Sequence, residues 1–191
     1  MWSHIRNSRK YSSSLTLFIL VFLCLILWFA PVTISFGKGK IVVGKIVKVK
    51  DGDTVVISPL DGGQFFTCRL YGIDAPETPK YTRRGRLRKP GQPYGKEASR
   101  ELKRLILGKT ATVILTGAKT YNREVCIIKY NGIEINLEMV KRGYAWAYRR
   151  YLKRPYASEY INAERKAREN RLGLWKQKNP VPPWEFRRLF R

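Results

Sequence analysis

The chain has 191 residues, enough for one ordinary domain with additions, and its 38 lysine and arginine residues against 14 acidic residues give a formal net charge of +24. This charge favours a polyanionic partner, either nucleic acid or an anionic membrane surface, over a merely soluble basic surface. The only histidine, His4, precedes the long apolar stretch near the N-terminus. The remainder of the chain therefore cannot hold a histidine-based zinc site or a histidine-activated nucleophile.

A basic tail, residues 1–14, precedes an uncharged and strongly apolar stretch, residues 15–36. About 20 apolar residues cross a bilayer as a helix, so this stretch predicts one transmembrane helix. Ala30 is the small residue nearest a usual cleavage position, but it lies between Phe29 and Pro31, which makes a poor signal-peptidase site. We therefore expect an uncleaved signal anchor, with cleavage and secretion as the alternative.

Residues alternate well from Ile41 to Lys50, where Ile46, Val47 and Val49 with the lysines at 45, 48 and 50 predict a half-buried strand. The pair Asp51-Gly52 is typical of a tight hairpin turn. Two more strands follow at residues 54–57 and 64–73. Three successive strands joined by short turns predict a meander.

After a proline-rich loop, the patterns predict three helices, at Gly95–Leu107, Asn136–Arg142 and Ser158–Arg171. Further strands are predicted at Ala111–Thr116, Val125–Tyr130 and Ile133–Ile135, with Asn131-Gly132 as a hairpin turn. This order predicts an all-β core with helices, namely a five-stranded Greek-key barrel of the OB kind over residues 38–176. Residues 177–191, rich in proline and arginine, are expected to form a lightly ordered basic tail.

Two short stretches concentrate acidic residues in this basic chain: Lys50–Thr54 reads K-D-G-D-T, and Cys68–Glu77 reads C-R-L-Y-G-I-D-A-P-E. Asp53 follows the first turn and Asp74 ends the third strand, and in a meander these positions can meet at one rim of the barrel. Two carboxylates with a backbone carbonyl and water suit a hard cation such as Ca²⁺ or Mg²⁺. The alternative is that these aspartates serve only as turn residues.

These stretches, with Y-G-K-E-A-S at residues 94–99 and Y-N-R-E at residues 121–124, resemble the staphylococcal nuclease family, the thermonucleases. The similarity runs from about Lys45 to Trp175, and the closing P-P-W-E-F-R-R resembles bacterial members, here with a membrane anchor. The resemblance implies an OB-fold barrel and a calcium-dependent, sugar-nonspecific nuclease. Such an enzyme hydrolyses DNA and RNA to products with a 3′-phosphate and a 5′-hydroxyl.

The resemblance also implies roles for individual residues. Calcium would be held by Asp53, Asp74 and the carbonyl of Ala75. The catalytic residues would be Arg69 and Arg123, which meet phosphate charge, and Glu77, which helps to activate the attacking water. Nucleotide contacts would come from Tyr121 and Tyr151. The chain departs from the family at Lys119–Arg123, which reads K-T-Y-N-R where the family usually has D-x-Y-G-R.

The loop Lys80–Lys89 carries six basic residues and follows Glu77 closely. We hypothesise that this loop, with Arg83 and Arg84, tracks the substrate backbone, the alternative being a solvated and disordered loop. The sequence leaves open whether Cys68 and Cys126 are free thiols or one disulfide.

We expect a monomer without a protein partner, bound to the membrane through residues 15–36. Its domain would lie outside the cytoplasm, on the periplasmic or extracellular side, because calcium is abundant there and a nuclease would spare the genome of its own cell. The competing hypothesis for function is a catalytically silent OB module that only binds nucleic acid.

Overall fold

A computed structural model of the protein describes residues 39–190, in which ten strands and four α-helices are found. The strands are β1 (Ile41–Asp51), β2 (Thr54–Pro59), β3 (Phe66–Leu70), β4 (Ile73–Asp74), β5 (Lys80–Tyr81), β6 (Leu87–Lys89), β7 (Thr110–Thr120), β8 (Arg123–Tyr130), β9 (Ile133–Glu134) and β10 (Trp146–Ala147). The helices are α1 (Gly95–Ile106), α2 (Ile135–Lys141), α3 (Tyr156–Glu169) and α4 (Pro183–Leu189), with a 3₁₀ turn at Gly173–Lys176.

Five strands close into a barrel in the order β3-β2-β1-β7-β8, because β3 also pairs in parallel with β8. The first meander and the hairpin β7–β8 thus form one continuous wall, and closure leaves no free edge among these five strands. Apolar side chains fill the interior, among them Ile46, Ile57, Leu70, Val113 and Ile128, each no more than 1% exposed. The predicted five-stranded barrel with helices is confirmed.

In the pairing of β3 with β8, Cys68 lies opposite Glu124 and Cys126 opposite Leu70, so the two cysteines are diagonal neighbours in the barrel wall. They form a disulfide with Cα atoms 6.0 Å apart. This separation lies within the ordinary range for disulfides. Both residues are fully buried. The structure therefore decides between the two states that the sequence left open.

A β-bulge in β1 changes which of its residues are buried. Ile46 pairs with Ile57 and Lys48 with Val56, so Val47 has no partner residue of its own on β2. Val47 and Lys48 are consequently both exposed, and the buried side resumes at Val49, so the alternation predicted for this strand is interrupted after Ile46. Simple alternation cannot anticipate the extra residue of a bulge.

The three predicted helices are present with small changes in their bounds. Helix α1 covers the barrel through Ala98, Leu102 and Ile106, all fully buried. Helix α3 begins at Tyr156 rather than at Ser158, and Pro155 stands at its N-cap position.

The C-terminal segment 177–190 differs from the lightly ordered tail that its composition predicted. Helix α4 begins with the buried Pro183, and its Trp184 ring stacks on Tyr148 at 5.1 Å between centroids. Trp184 also packs edge-on against the buried Trp146 at 5.6 Å. The amide of Gln92 donates to the carbonyl of Val181 at 3.1 Å. These contacts hold the C-terminal segment against the domain.

None of the helices within residues 39–190 is long and apolar enough to cross a bilayer. The predicted membrane anchor, residues 15–36, and the basic tail, residues 1–14, lie outside the described residues.

Candidate active site

The hairpin turn between β1 and β2 gives its two aspartates different tasks. Asp51 accepts a hydrogen bond from the backbone N–H of Asp53 at 3.2 Å, as a turn residue does. Asp53 instead points inward and is only 1% exposed. Its Oδ2 accepts from the N–H of Ala75 at 2.9 Å, and its Oδ1 accepts from the hydroxyl of Thr54 at 2.9 Å. The turn-only alternative therefore fits Asp51 and not Asp53.

Asp74 ends β4, which pairs with β10 through Trp146, and its side chain is fully buried. Arg69 on β3 joins the two aspartates. One end of its guanidinium donates to Oδ1 of Asp53, and Nη2 donates to Oδ1 of Asp74 at 2.6 Å. The structure thus brings Asp53, Asp74 and Arg69 together at one rim of the barrel.

The electrostatics of this cluster follow from its burial. Burial raises the pKa of the Asp53 carboxyl well above its usual range, and the carboxylates of Asp51 and Asp74 raise it further. The Arg69 guanidinium opposes this rise. Burial alone would lower the pKa of Arg69, but Asp53 and Asp74 more than offset that effect and raise it. Positive charge from Arg69 therefore favours the ionised form of Asp53 against its burial.

The donor set fits a hard cation in part. Asp53 and Asp74 already converge on one positively charged group, which is what two carboxylate ligands of Ca²⁺ must do. Within residues 39–190, no three acidic, histidine or cysteine side chains are placed to hold one metal ion. An ion bound here would complete its shell with water and backbone oxygen, for which the carbonyl of Ala75 stays the predicted ligand.

Glu77 lies half-buried beside this cluster, and its backbone is fixed by Gln92. The N–H of Glu77 donates to Oε1 of Gln92 at 3.0 Å, and its carbonyl accepts from the N–H of Gln92 at 2.8 Å. On the side chain, Oε2 lies 3.7 Å from Nζ of Lys80. Nothing in its local sequence singles out Gln92 as the residue that holds this glutamate in place.

Arg187 of α4 also enters the site, and sequence reasoning missed it. Its Nη1 donates to Oε1 of Glu77 at 2.9 Å and to Oδ1 of Asp74 at 3.0 Å, while Nη2 donates to Oδ2 of Asp74 at 2.7 Å. Burial would lower the pKa of Arg187, but hydrogen bonds and charge from Asp74 and Glu77 raise it. Arg187 is therefore the residue that connects Glu77 to the aspartate cluster.

Arg123 is placed near the cluster by register but makes no ion pair with any residue of the described chain. In the parallel pairing Arg69 lies opposite Val125, so Arg123, two residues earlier, belongs to the same face of the sheet. Its Nε donates to the carbonyl of Thr120 over a long 3.5 Å. The structure does not join it to Asp53, Asp74 or Glu77.

The two predicted nucleotide-contacting tyrosines occupy different settings. Tyr121 is at the β7–β8 turn and is 92% exposed. Tyr151 packs edge-on against Tyr148 at 4.9 Å. Tyr148 itself was not predicted to be near the site, but burial and then the charge of Asp74 raise the pKa of its hydroxyl. The two packed rings of Tyr148 and Tyr151 thus extend outward from the neighbourhood of Asp74.

The basic loop Lys80–Lys89 forms a hairpin, β5–β6, rather than the disordered loop that was the alternative. Thr82 and Arg86 close the turn through a 2.8 Å backbone hydrogen bond, and Gly85 takes a positive φ of 76°. Arg83 and Arg84 are exposed within this turn. The contact of Lys80 with Glu77 attaches the hairpin next to the acidic cluster.

Comparison with known proteins places this geometry in context. Residues 67–177 match the family described as staphylococcal nuclease homologue. An uncharacterized endonuclease of Haemophilus influenzae is 33% identical over 144 residues, which are 75% of this chain and 72% of that protein. An uncharacterized endonuclease of Escherichia coli O157:H7 is 34% identical over 145 residues, which are 75% of this chain and 84% of that protein.

Plant proteins share the same segment within longer chains. A staphylococcal-like nuclease of Arabidopsis thaliana is 39% identical over 123 residues, or 64% of this chain. The chain spans about a third of the length of such relatives, 33% of this one and 32% of an uncharacterized protein of Capnoides sempervirens. The family match nevertheless covers more than half of the chain, and the two bacterial relatives are matched over most of their own length. On this evidence, as its motifs predicted, the chain belongs to the staphylococcal nuclease homologue family.

Proposed function

We propose that this protein is a calcium-dependent, sugar-nonspecific nuclease that hydrolyses phosphodiester bonds of DNA and RNA. The observation that carries the proposal is the meeting of two buried aspartates, Arg69 and Glu77 at one barrel rim in a chain of net charge +24. A site that concentrates acids inside a basic protein suits a cation and an anionic polymer together. Two bacterial relatives carry the name endonuclease, which supports the same class of reaction.

The residues of the chain divide the chemistry as follows. Asp53 and Asp74, with the carbonyl of Ala75, would hold Ca²⁺, which when bound neutralises phosphate charge and orients water. Arg69 offers bidentate N–H donors that match two phosphoryl oxygens. The Glu77 carboxylate accepts a proton from the attacking water and fixes its direction toward phosphorus. Cleavage of the bond from phosphorus to the 5′-oxygen leaves a 3′-phosphate and a 5′-hydroxyl.

Arg123 and the exposed groups complete the proposed interface with substrate. Arg123 would meet charge on the phosphoryl group from the neighbouring strand, as the family resemblance implies. Tyr121 and Tyr151 would contact nucleotides, and the β5–β6 hairpin with Arg83 and Arg84 would follow the backbone. Single substitutions at such surface cations lower affinity for all sequences and weaken its dependence on salt.

The test is digestion of plasmid DNA and of RNA by the full-length protein, with calcium or with a chelator. We expect cleavage of both polymers only with calcium, and 5′-hydroxyl ends that polynucleotide kinase labels without prior phosphatase treatment. The Glu77→Ala variant serves as the control for contaminating nucleases. Equal digestion by that variant would refute the assigned site, whereas binding of nucleic acid without any cleavage would leave a silent OB module.

We also propose that residues 15–36 anchor a monomeric protein in the membrane, with the domain on the periplasmic or extracellular side. The buried disulfide between Cys68 and Cys126 supports this placement, because disulfides form and persist in oxidising compartments. Protease added to intact cells or spheroplasts should degrade the domain. Protection of the domain until the membrane is lysed would contradict this topology.

A further inference from the structure

We propose that Arg187, delivered by the C-terminal helix α4, is a third phosphate-binding arginine of the active site. The proposal rests on the nuclease function inferred above and deepens it. Its starting point is position: the guanidinium of Arg187 bridges Asp74, a predicted metal ligand, and Glu77, the predicted water-activating group. A phosphate that is attacked by water at Glu77 and bound by a cation at Asp74 must lie close to this guanidinium.

The hydrogen bonds of Arg187 leave the right donors free. At one edge of the guanidinium, Nη1 and Nη2 each donate a hydrogen bond to an oxygen of Asp74. The other proton of Nη1 is donated in a hydrogen bond to Glu77. Nε–H and the second proton of Nη2 remain, and neither has an acceptor anywhere in residues 39–190. These two protons share one edge, which is the bidentate fork that phosphate oxygens accept.

The surroundings of Arg187 suit a nucleic acid strand. Arg187 lines a groove together with Glu77, Lys80, Lys89 and Phe186. Two lysines and an arginine around a groove that reaches the predicted catalytic glutamate offer positive charge for consecutive phosphates. An aromatic wall adds a surface on which a base can stack.

Contacts of α4 with the rest of the domain fix the position of Arg187, as is needed for a residue that binds phosphate. Trp184, three residues earlier on α4, is stacked on Tyr148, and Gln92 holds both Val181 and the backbone of Glu77. Gln92 thus holds both Glu77 and the segment that leads into α4. Arginine held in this way loses little freedom when phosphate binds.

The experiment compares Arg187→Gln and Arg187→Lys with the unchanged full-length protein in detergent micelles. Arg188→Gln, a neighbouring and exposed position on the same helix, is the matched control. Three quantities are measured: kcat/KM with calcium, affinity for a single-stranded dodecanucleotide in chelator at several salt concentrations, and calcium affinity by calorimetry.

We expect Arg187→Gln to lower kcat/KM by about 10²- to 10³-fold, the usual loss for one charge-stabilising donor. Oligonucleotide affinity should fall with a salt slope reduced by about 0.7, while calcium still binds. Arg187→Lys, which keeps the charge and loses the fork, should recover only part of the activity. Arg188→Gln should stay within about threefold of the unchanged protein, as expected of an exposed side chain.

Two results would overturn the proposal. If Arg187→Gln cleaves faster at low calcium and binds calcium more tightly, Arg187 merely competes with the metal for Asp74. If Arg187→Lys is fully active, the bidentate fork has no role, and this outcome decides the matter even where Arg187→Gln fails to fold. Because oligonucleotide binding is measured in chelator, a protein without nuclease activity would disprove the proposed function and still report on Arg187.

Discussion

The barrel rim and the C-terminal segment supply charges to the same site by opposite means. At the rim, Asp53 is placed by the short hairpin β1–β2, and Asp74 lies shortly after β3, at the end of the short strand β4 that pairs with β10. Arg187 arrives from 113 residues further along the chain than Asp74, on a helix whose place depends on tertiary contacts. This difference shows that short sequence motifs can identify the acidic residues of a site, while a further residue of the same site comes from a distant segment without a motif.

Asp74→Asn should break both halves of this comparison at once, because Asp74 accepts hydrogen bonds from both Arg69 and Arg187. Loss of its charge removes a predicted metal ligand and leaves two guanidiniums without their shared counter-charge. We expect the loss of nuclease activity by more than about 10³-fold and much weaker calcium binding. Digestion assays and calorimetry measure the two effects, and Asp51→Asn, at the half-buried turn residue, is the control.

Nearly normal calcium affinity in Asp74→Asn would contradict the assignment of the two aspartates as a cation site.

Cys126→Ala tests how far the rim depends on barrel closure. Cys68 directly precedes Arg69 on β3, and the disulfide joins β3 to β8 across a sequence separation of 58 residues. Removal of such a cross-link should lower the free energy of unfolding by about 4 kcal/mol. Urea unfolding of the oxidised protein and of the variant measures this difference. An unchanged unfolding midpoint would show that strand pairing alone closes the barrel.

Trp184→Ala tests the C-terminal segment by itself. The ring stacks on Tyr148 and packs against Trp146, and each such pair contributes about 0.5–1.5 kcal/mol beyond the area that it buries. We expect faster amide hydrogen exchange in residues 184–189 and a fall of about tenfold in kcat/KM, since Arg187 loses its support. Trp184→Phe, which keeps an aromatic ring, should have an exchange rate and a kcat/KM between those of Trp184→Ala and the unchanged protein.

If exchange speeds up in Trp184→Ala while kcat/KM is unchanged, docking of α4 has no part in catalysis.

The smallest effect is expected for Arg83→Gln with Arg84→Gln, at the exposed turn of the β5–β6 hairpin. These arginines should contribute affinity through long-range attraction to phosphate rather than through fixed contacts. We expect a KM increase of about two- to fivefold and a salt slope reduced by about 1.5. Arg165→Gln on α3, another exposed arginine, is the control.

An unchanged salt slope in the hairpin variant would refute the idea that this loop tracks the substrate.

Sequence reasoning succeeded where structure is set by short-range chemistry. Asn131 and Gly132 both take positive φ values in the turn that their identity predicts. The proximity of Asp53 to Asp74 was predicted because one lies at the first turn of the meander and the other close to the end of its third strand, although the structure assigns Asp74 to the separate short strand β4. The resemblance to the nuclease family, carried by the motifs around these residues, added the expectation for Arg69.

The failures lie where tertiary contacts override local pattern. A bulge after Ile46 leaves Val47 and Lys48 both exposed and returns Val49 to the buried side, and one extra residue leaves no mark on composition. Helix α4 has seven residues and begins with proline, so its own propensity is too weak to predict it, and packing of Trp184 stabilises it. Arg187 stood in a basic run of a chain with 38 cationic residues, and charge alone could not distinguish it from its neighbours.

Gln92 has a consequence for how the molecule responds to its surroundings. The oxygen of its side-chain amide accepts a hydrogen bond from the backbone N–H of Glu77, and the nitrogen donates to the carbonyl of Val181. Displacement or removal of the C-terminal segment would therefore act through the side-chain amide of Gln92 on Glu77, the predicted water-activating residue. Proteolytic loss of the residues after Gln177 would leave every barrel strand in place, and we expect it to loosen Glu77 and to lower the proposed activity.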